Sequence, residues 1–159
     1  MKRINRALAG SVVVLLVLLC VSVYTQIVVK KDPGGFLEGR NYKEGTLWVT
    51  TFVRHRAGQD IPYLNALAVA WKKQMETLKK DGIILSYKVL QTNATRLADY
   101  NLMLLVEYKD MRTWEQNAEK QSLIQEAIAR ENPEQWKVMN DDQVQEYFGS
   151  NLAKEIIFK

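Results

Sequence analysis

The chain has 159 residues, of which 47% are hydrophobic and 25% charged, the make-up of one folded domain with an extension. Its 22 Lys and Arg against 18 Asp and Glu give +4, but Lys2, Arg3 and Arg6 supply three of those charges and leave 19 against 18. That balance lacks the basic footprint of a nucleic-acid binder, while a single cysteine, Cys20, and a single histidine, His55, exclude a disulfide framework and a His- or Cys-rich metal centre.

The N-terminal run "MKRINRALAGSVVVLLVLLCVSVYTQIVVKKDPGG" has a basic head, an apolar stretch and a polar, Gly/Pro-containing tail. That is the order of a secretory signal. Its densest part, Val12–Val23, has signal-like length, whereas Leu8–Val29 reaches about 20 residues, enough to span a bilayer. Residues 1–29 therefore read as a removable signal peptide or a retained anchor, with membrane contact through residues 8–29 in the second case. Either way the basic head stays cytoplasmic and the domain is exported. It would be periplasmic or extracellular, and tied to the inner membrane if the segment is kept. Residues 30–45 read as a linker, and 46–159 as the folded domain.

"TLWVTTFVR" (Thr46–Arg54) is rich in β-branched and aromatic residues and reads as the first strand. After "AGQD", with Asp60 as a possible cap and Pro62 in the first turn, Ile61, Leu64, Leu67, Ala68, Trp71, Met75 and Leu78 recur at helical spacing. Gly82 ends this helix. "IILSYKVLQ" (Ile83–Gln91) and "ADYNLMLLVEY" (Ala98–Tyr108) supply two further strands around a loop. Asp110 then caps a second helix, Met111 to about Arg130, which Asn132-Pro133 stops. Trp136, Met139, Val144, Tyr147 and Phe148 suggest further helical turns ended by Gly149, with Asp141-Asp142 as a helix start, and "NLAKEIIFK" closes the chain as a fourth strand.

The order β-α-β-β-α-β is the α+β, ferredoxin-like arrangement, with both helices on one face of an antiparallel sheet. The third strand raises a question about the other face. Alternation places Tyr100, Leu102, Leu104, Val106 and Tyr108 on one side and Asn101, Met103, Leu105 and Glu107 on the other. Trp48 or Phe52 and Ile84 or Leu90 join Met103 and Leu105, depending on register. A two-fold homodimer through the sheet faces would cover such a patch; the alternative is a solvated mixed face.

These residues resemble the dimeric α+β barrel superfamily, in which two ferredoxin-like subunits pack sheet against sheet. The resemblance covers about Thr46–Lys159. It lies in the helix-borne Trp71, "DGIILSYKVL" and "ADYNLMLLVEY", and is nearest to exported bacterial members of unassigned function. The wider superfamily includes cofactor-independent monooxygenases, lactone isomerases and haem-degrading monooxygenases, with pockets between sheet and helices. The haem degraders carry a ligating histidine on the second helix, and none occurs between Met111 and Arg130.

For chemistry, His55 in "VRHRAG" is the one catalytic candidate, as a general base or as part of an anion site with Arg54 and Arg56. A solvated strand-end basic cluster is the plainer alternative. Tyr63, Trp71, Tyr87 and Tyr100 could line a pocket for a small apolar or aromatic ligand, or simply pack in the core. Lys72, Lys73, Lys79 and Lys80 form a basic helix side. No Gly-rich phosphate loop, nucleophile elbow or metal-spaced carboxylate set occurs, so neither cofactor nor metal is expected. The reading is an exported homodimer that binds a small ligand or serves in envelope assembly, with a cofactor-independent oxygenase or isomerase as the alternative.

Overall fold

The computed structural model describes residues 31, 33–93 and 99–159, so residues 1–29, read as a signal peptide or anchor, lie outside the described residues. Among the described residues, no helix is long and apolar enough to cross a membrane. The chain divides into two compact units, residues 1–43 with 158–159 and residues 44–157. In the first, an antiparallel bridge joins Lys31 and Leu37. There Lys43 Nζ donates to the Gly34 carbonyl (2.8 Å) and the Lys159 N–H to the Asn41 carbonyl (3.0 Å).

The second unit holds most of a four-stranded sheet of order β2-β3-β1-β4. Its strands are β1 (Tyr42–His55), β2 (Ser86–Gln91), β3 (Leu102–Tyr108) and β4 (Gln145–Phe158). The first and last are longer than expected, because the alternation of β-compatible residues continues past Thr46 and begins before Asn151. Residues read as helical, Tyr147 and Phe148, therefore lie on β4, and Asp141-Asp142 leads into a turn. Strand β3 pairs antiparallel with both β1 and β2. Between β1 and β4, Arg56 N–H reaches the Val144 carbonyl (2.8 Å) and Thr51 Oγ1 meets Ser150 Oγ (2.7 Å), again an antiparallel progression. This strand order is that of the ferredoxin-like fold.

Helix α1 runs through α-helical Asp60–Ala66, π-helical Leu67–Trp71 and α-helical Lys72–Lys80. The wider i→i+5 turn carries an additional residue, which rotates the buried stripe partway along. Ala70 is fully buried, while Ala68 and Ile61, both expected inside, are exposed. Gly82, at φ +69°, ends the helix as expected. The second helical region breaks at Asn117 into α2 (Met111–Gln116) and α3 (Ala118–Glu131). Asp110 caps α2 by accepting the Thr113 N–H at 2.7 Å. Pro133, tolerated in a first turn, opens α4 (Pro133–Met139).

The helices cover one sheet face with two apolar clusters. One joins Leu47, Met75, Leu78, Ile83, Ile84, Val106 and Tyr108; the other joins Val53, Tyr63, Leu67, Leu102 and Leu104. Trp71 packs against both. On β3 the buried residues are Leu102, Leu104, Val106 and Tyr108, in strict alternation with half-buried Met103, Leu105 and Glu107.

The register settles the membership of the open face. Phe52 and Leu90 stand opposite Met103, Thr50 and Lys88 opposite Leu105, and Trp48 and Ser86 opposite Glu107. Ile84, by contrast, is core. The apolar centre is framed by polar contacts. Lys88 Nζ lies 5.1 Å from the Trp48 ring centroid, Arg54 pairs with Glu146, and Glu107 accepts from Thr46 and Ser86.

Candidate functional site

Between the two clusters lies a cavity of about 350 Å³, at the lower end of the range for small-molecule pockets. Its deep wall consists of buried Val53 and Leu104 from the sheet, Tyr63, Leu67, Gln74 and Met75 from α1, and Gln145 from β4. Half-buried Trp71, Trp136 and Met139 continue it, and exposed Gln125, Asn140 and Tyr147 lie at the mouth. The π-helical turn contributes both of its end residues, Leu67 and Trp71, to the wall. Short π-helical insertions within α-helices are frequent at functional sites.

Among the described residues lining the cavity there is no Asp, Glu, Lys, Arg or His. Its polar groups are amides, hydroxyls and indoles. Burial pushes the Tyr63 hydroxyl up to about 12, so at neutral pH it is a protonated phenol that can donate as well as accept. Thr51 and Tyr147 are joined through Ser150, whose Oγ lies 2.7 Å from Thr51 Oγ1 and 3.1 Å from the Tyr147 hydroxyl. Gly149, at φ +118°, lies on β4 between Tyr147 and Ser150, a backbone conformation that suits glycine. Gln145 is 8% exposed, and its side-chain oxygen has no hydrogen-bond partner. That oxygen is closed off from solvent, so it costs stability without opening onto the cavity.

Of the aromatic residues singled out in the sequence, Tyr63 and Trp71 line the cavity. Tyr87 does not. Its ring meets Trp71 edge-on at 5.3 Å, and its hydroxyl donates to Glu76, a bond that with burial pushes it up to about 12. Tyr100 precedes β3 and packs 4.6 Å from Phe52, on the open face, so the alternation expected to group it with Leu102 starts only at Leu102. His55 is also outside the cavity lining. Its backbone N–H donates to Asn101 Oδ1 (3.0 Å) and its carbonyl accepts from Asn101 Nδ2 (3.2 Å), while both ring nitrogens are buried without partners. The flanking arginines do not join it in a cluster: Arg54 pairs with Glu146, and Arg56 Nε donates to the Asp142 carbonyl at 2.6 Å. Lys73 pairs with Glu131, which ties the basic side of α1 to α3.

Gln74, Gln125, Trp136, Asn140, Gln145 and Tyr147 were not legible as site residues. Four of them come from the segment after Pro133, whose return to the sheet only the strand pairing reveals.

No family model matches the chain. No curated protein matches it either. Similar solved structures include a dimeric ferredoxin-like protein from an uncultured marine organism, 9% identical, with a TM-score of 0.42 over 73% of this chain and 90% of that one. Another is a conserved protein of unknown function from Bacteroides thetaiotaomicron, described as a possible oxidoreductase; it is 16% identical, with a TM-score of 0.40 over 72% of this chain and all of that one. The chain's ferredoxin-like fold rests on its own strand order, β2-β3-β1-β4, with antiparallel pairing on both sides of β3.

Proposed function

We propose that this chain is an exported small-molecule-binding protein that works as a homodimer of the dimeric α+β barrel type, its ligand held in the cavity between sheet and helices. The observation that carries the reading is the cavity itself: about 350 Å³ between two core clusters, walled by Tyr63, Leu67 and Trp71 of α1. A folded domain gains packing when such space is filled.

Binding is favoured over turnover by the chemistry of the wall. Its lining residues include no carboxylate, imidazole, thiol or amine, and the phenol of Tyr63 keeps its proton. His55, the candidate base, lies elsewhere. The dimer is supported by the open sheet face, where Trp48, Phe52, Leu90, Met103 and Leu105 form an apolar centre on the side opposite the described helices. Export is supported by the basic-then-apolar order of residues 1–29.

Native mass spectrometry of the protein isolated from its own membrane or envelope fraction tests this reading. The expected result is ions of two chains that lose a small non-covalent adduct on denaturation. Bare single chains at micromolar concentration would contradict it.

A further inference from the structure

We propose that the compact unit around Lys31, Arg40, Lys43 and Lys159 is a basic, aromatic-bearing surface that seats on the anionic headgroups of a lipid bilayer. The two units of the chain differ in charge. Residues 30–43 with 158–159 carry five Lys and Arg against two Asp and Glu, whereas residues 44–157 carry 14 against 16. Beyond the basic head, the excess of positive charge is therefore confined to the unit that directly follows the apolar run of residues 8–29. The inference is independent of the cavity and takes from the proposed function only the reading of that run as membrane-contacting.

Within this unit the cations are set against aromatic rings. The Arg40 guanidinium lies 5.5 Å from the Tyr42 ring centroid, and the amines of Lys43 and Lys159 lie 5.0 and 5.2 Å from that of Phe36. Lys43 Nζ also donates to the Gly34 carbonyl at 2.8 Å. For Arg40 and Lys43 these partners, rings and a carbonyl, fix the side chain and leave its charge in place. Lys31 and Arg40 are exposed, as are the rings of Tyr42, at 37%, and Phe158, at 75%. Exposed aromatic rings beside cations suit a membrane–water interface, where the rings sit at headgroup level and the cations meet lipid phosphate. Position in the chain points to the same occupant: the apolar run stops at Val29, immediately before Lys30 and Lys31, so a chain held by that run brings this unit to the headgroup layer first. Each cation near an anionic surface strengthens docking about five-fold, and salt screens the effect.

Hydrogen–deuterium exchange of the full chain with lipid vesicles tests the proposal. Vesicles of phosphatidylcholine alone are compared with vesicles in which about one-third of the lipid is phosphatidylglycerol. The anionic vesicles are expected to slow amide exchange in residues 31–43 at least about five-fold relative to the zwitterionic ones, to lose that effect at about 0.5 M salt, and to leave α1 unchanged. Lys31→Gln with Arg40→Gln should remove most of the difference, while Lys79→Gln with Lys80→Gln, at the end of α1, should preserve it. Equal exchange with the two vesicles, slowing that survives the salt, or slowing centred on α1 would overturn the docking surface. Flotation of the same samples reports on the anchor separately: a chain absent from zwitterionic vesicles yet protected by anionic ones lacks the anchor and keeps the docking surface. The lipid comparison on the unaltered chain decides even if a variant does not fold.

Discussion

Replacing Met103 by Asp separates the two faces of the sheet. Met103 lies half-buried on the open face, between Phe52 of β1 and Leu90 of β2, so no cation stands opposite it. In an isolated chain the new carboxylate keeps much of its water, and the loss is that of a partly buried thioether, about 1 kcal/mol. In a sheet-to-sheet dimer the same carboxylate is desolvated among aromatic and aliphatic side chains. The penalty is several kcal/mol per ion, and two-fold symmetry applies it twice. Even about 4 kcal/mol in total weakens association by nearly a thousand-fold. Sedimentation velocity over a concentration series reads this directly: dimer for the unaltered chain and monomer for Met103→Asp, with chemical-denaturation stability measured alongside. Leu123→Asp, on 59%-exposed α3 surface across the sheet, serves as the control and should leave assembly unchanged. A Met103→Asp protein that still dimerises with unaltered affinity would refute sheet-face pairing.

Gln145→Met should raise the stability of the ligand-free protein by about 1 kcal/mol, because it removes a buried acceptor that nothing satisfies; denaturant titration showing a loss of that size would contradict the orphan status of its oxygen. The alkaline limb of stability tests Tyr63. Its folded hydroxyl releases its proton near 12 and the unfolded one near 10, so folding is favoured below that window and weakened as pH rises through it, by up to about 2–3 kcal/mol; Tyr63→Phe should flatten this limb. On the acid side, the Thr113 backbone N–H and hydroxyl hold the Asp110 carboxyl below its usual range. Its contribution is therefore present above the ordinary carboxylate value and lost as pH falls through the lowered one, and Asp110→Asn should shallow the acid-induced loss of stability, as followed by circular dichroism.

The strands, the capping by Asp110 and the stop at Gly82 were legible because each depends on neighbours in sequence: alternation, a side chain that reaches three residues on, a glycine with positive φ. The open face was legible in kind from Met103 and Leu105 alone, but its membership was not. Whether Ile84 or Leu90 joined it depended on the β2–β3 register, and Tyr100 left the face assigned to it because the strand begins two residues later. The stripe of α1 was misjudged at Ile61, Ala68 and Ala70, since a π-helical turn carries no signature in residue spacing. The cavity was half legible. Tyr63 and Trp71 stand out as aromatics on a helix, whereas Gln74 and Gln145 are ordinary polar residues until folding buries them. Gln145 was hidden further by the helical look of the segment around it.

The claim that a ligand sits between the helices and the sheet is tested most directly by the four tryptophan indole N–H signals in a nuclear magnetic resonance titration with 2-naphthol. Trp71 and Trp136 line the cavity, Trp48 lies on the open face and Trp114 packs against the cluster below α2. The account predicts saturable shifts of Trp71 and Trp136 with Trp48 and Trp114 unmoved. Shifts confined to Trp48 or Trp114, or no shift in any of the four, would contradict it.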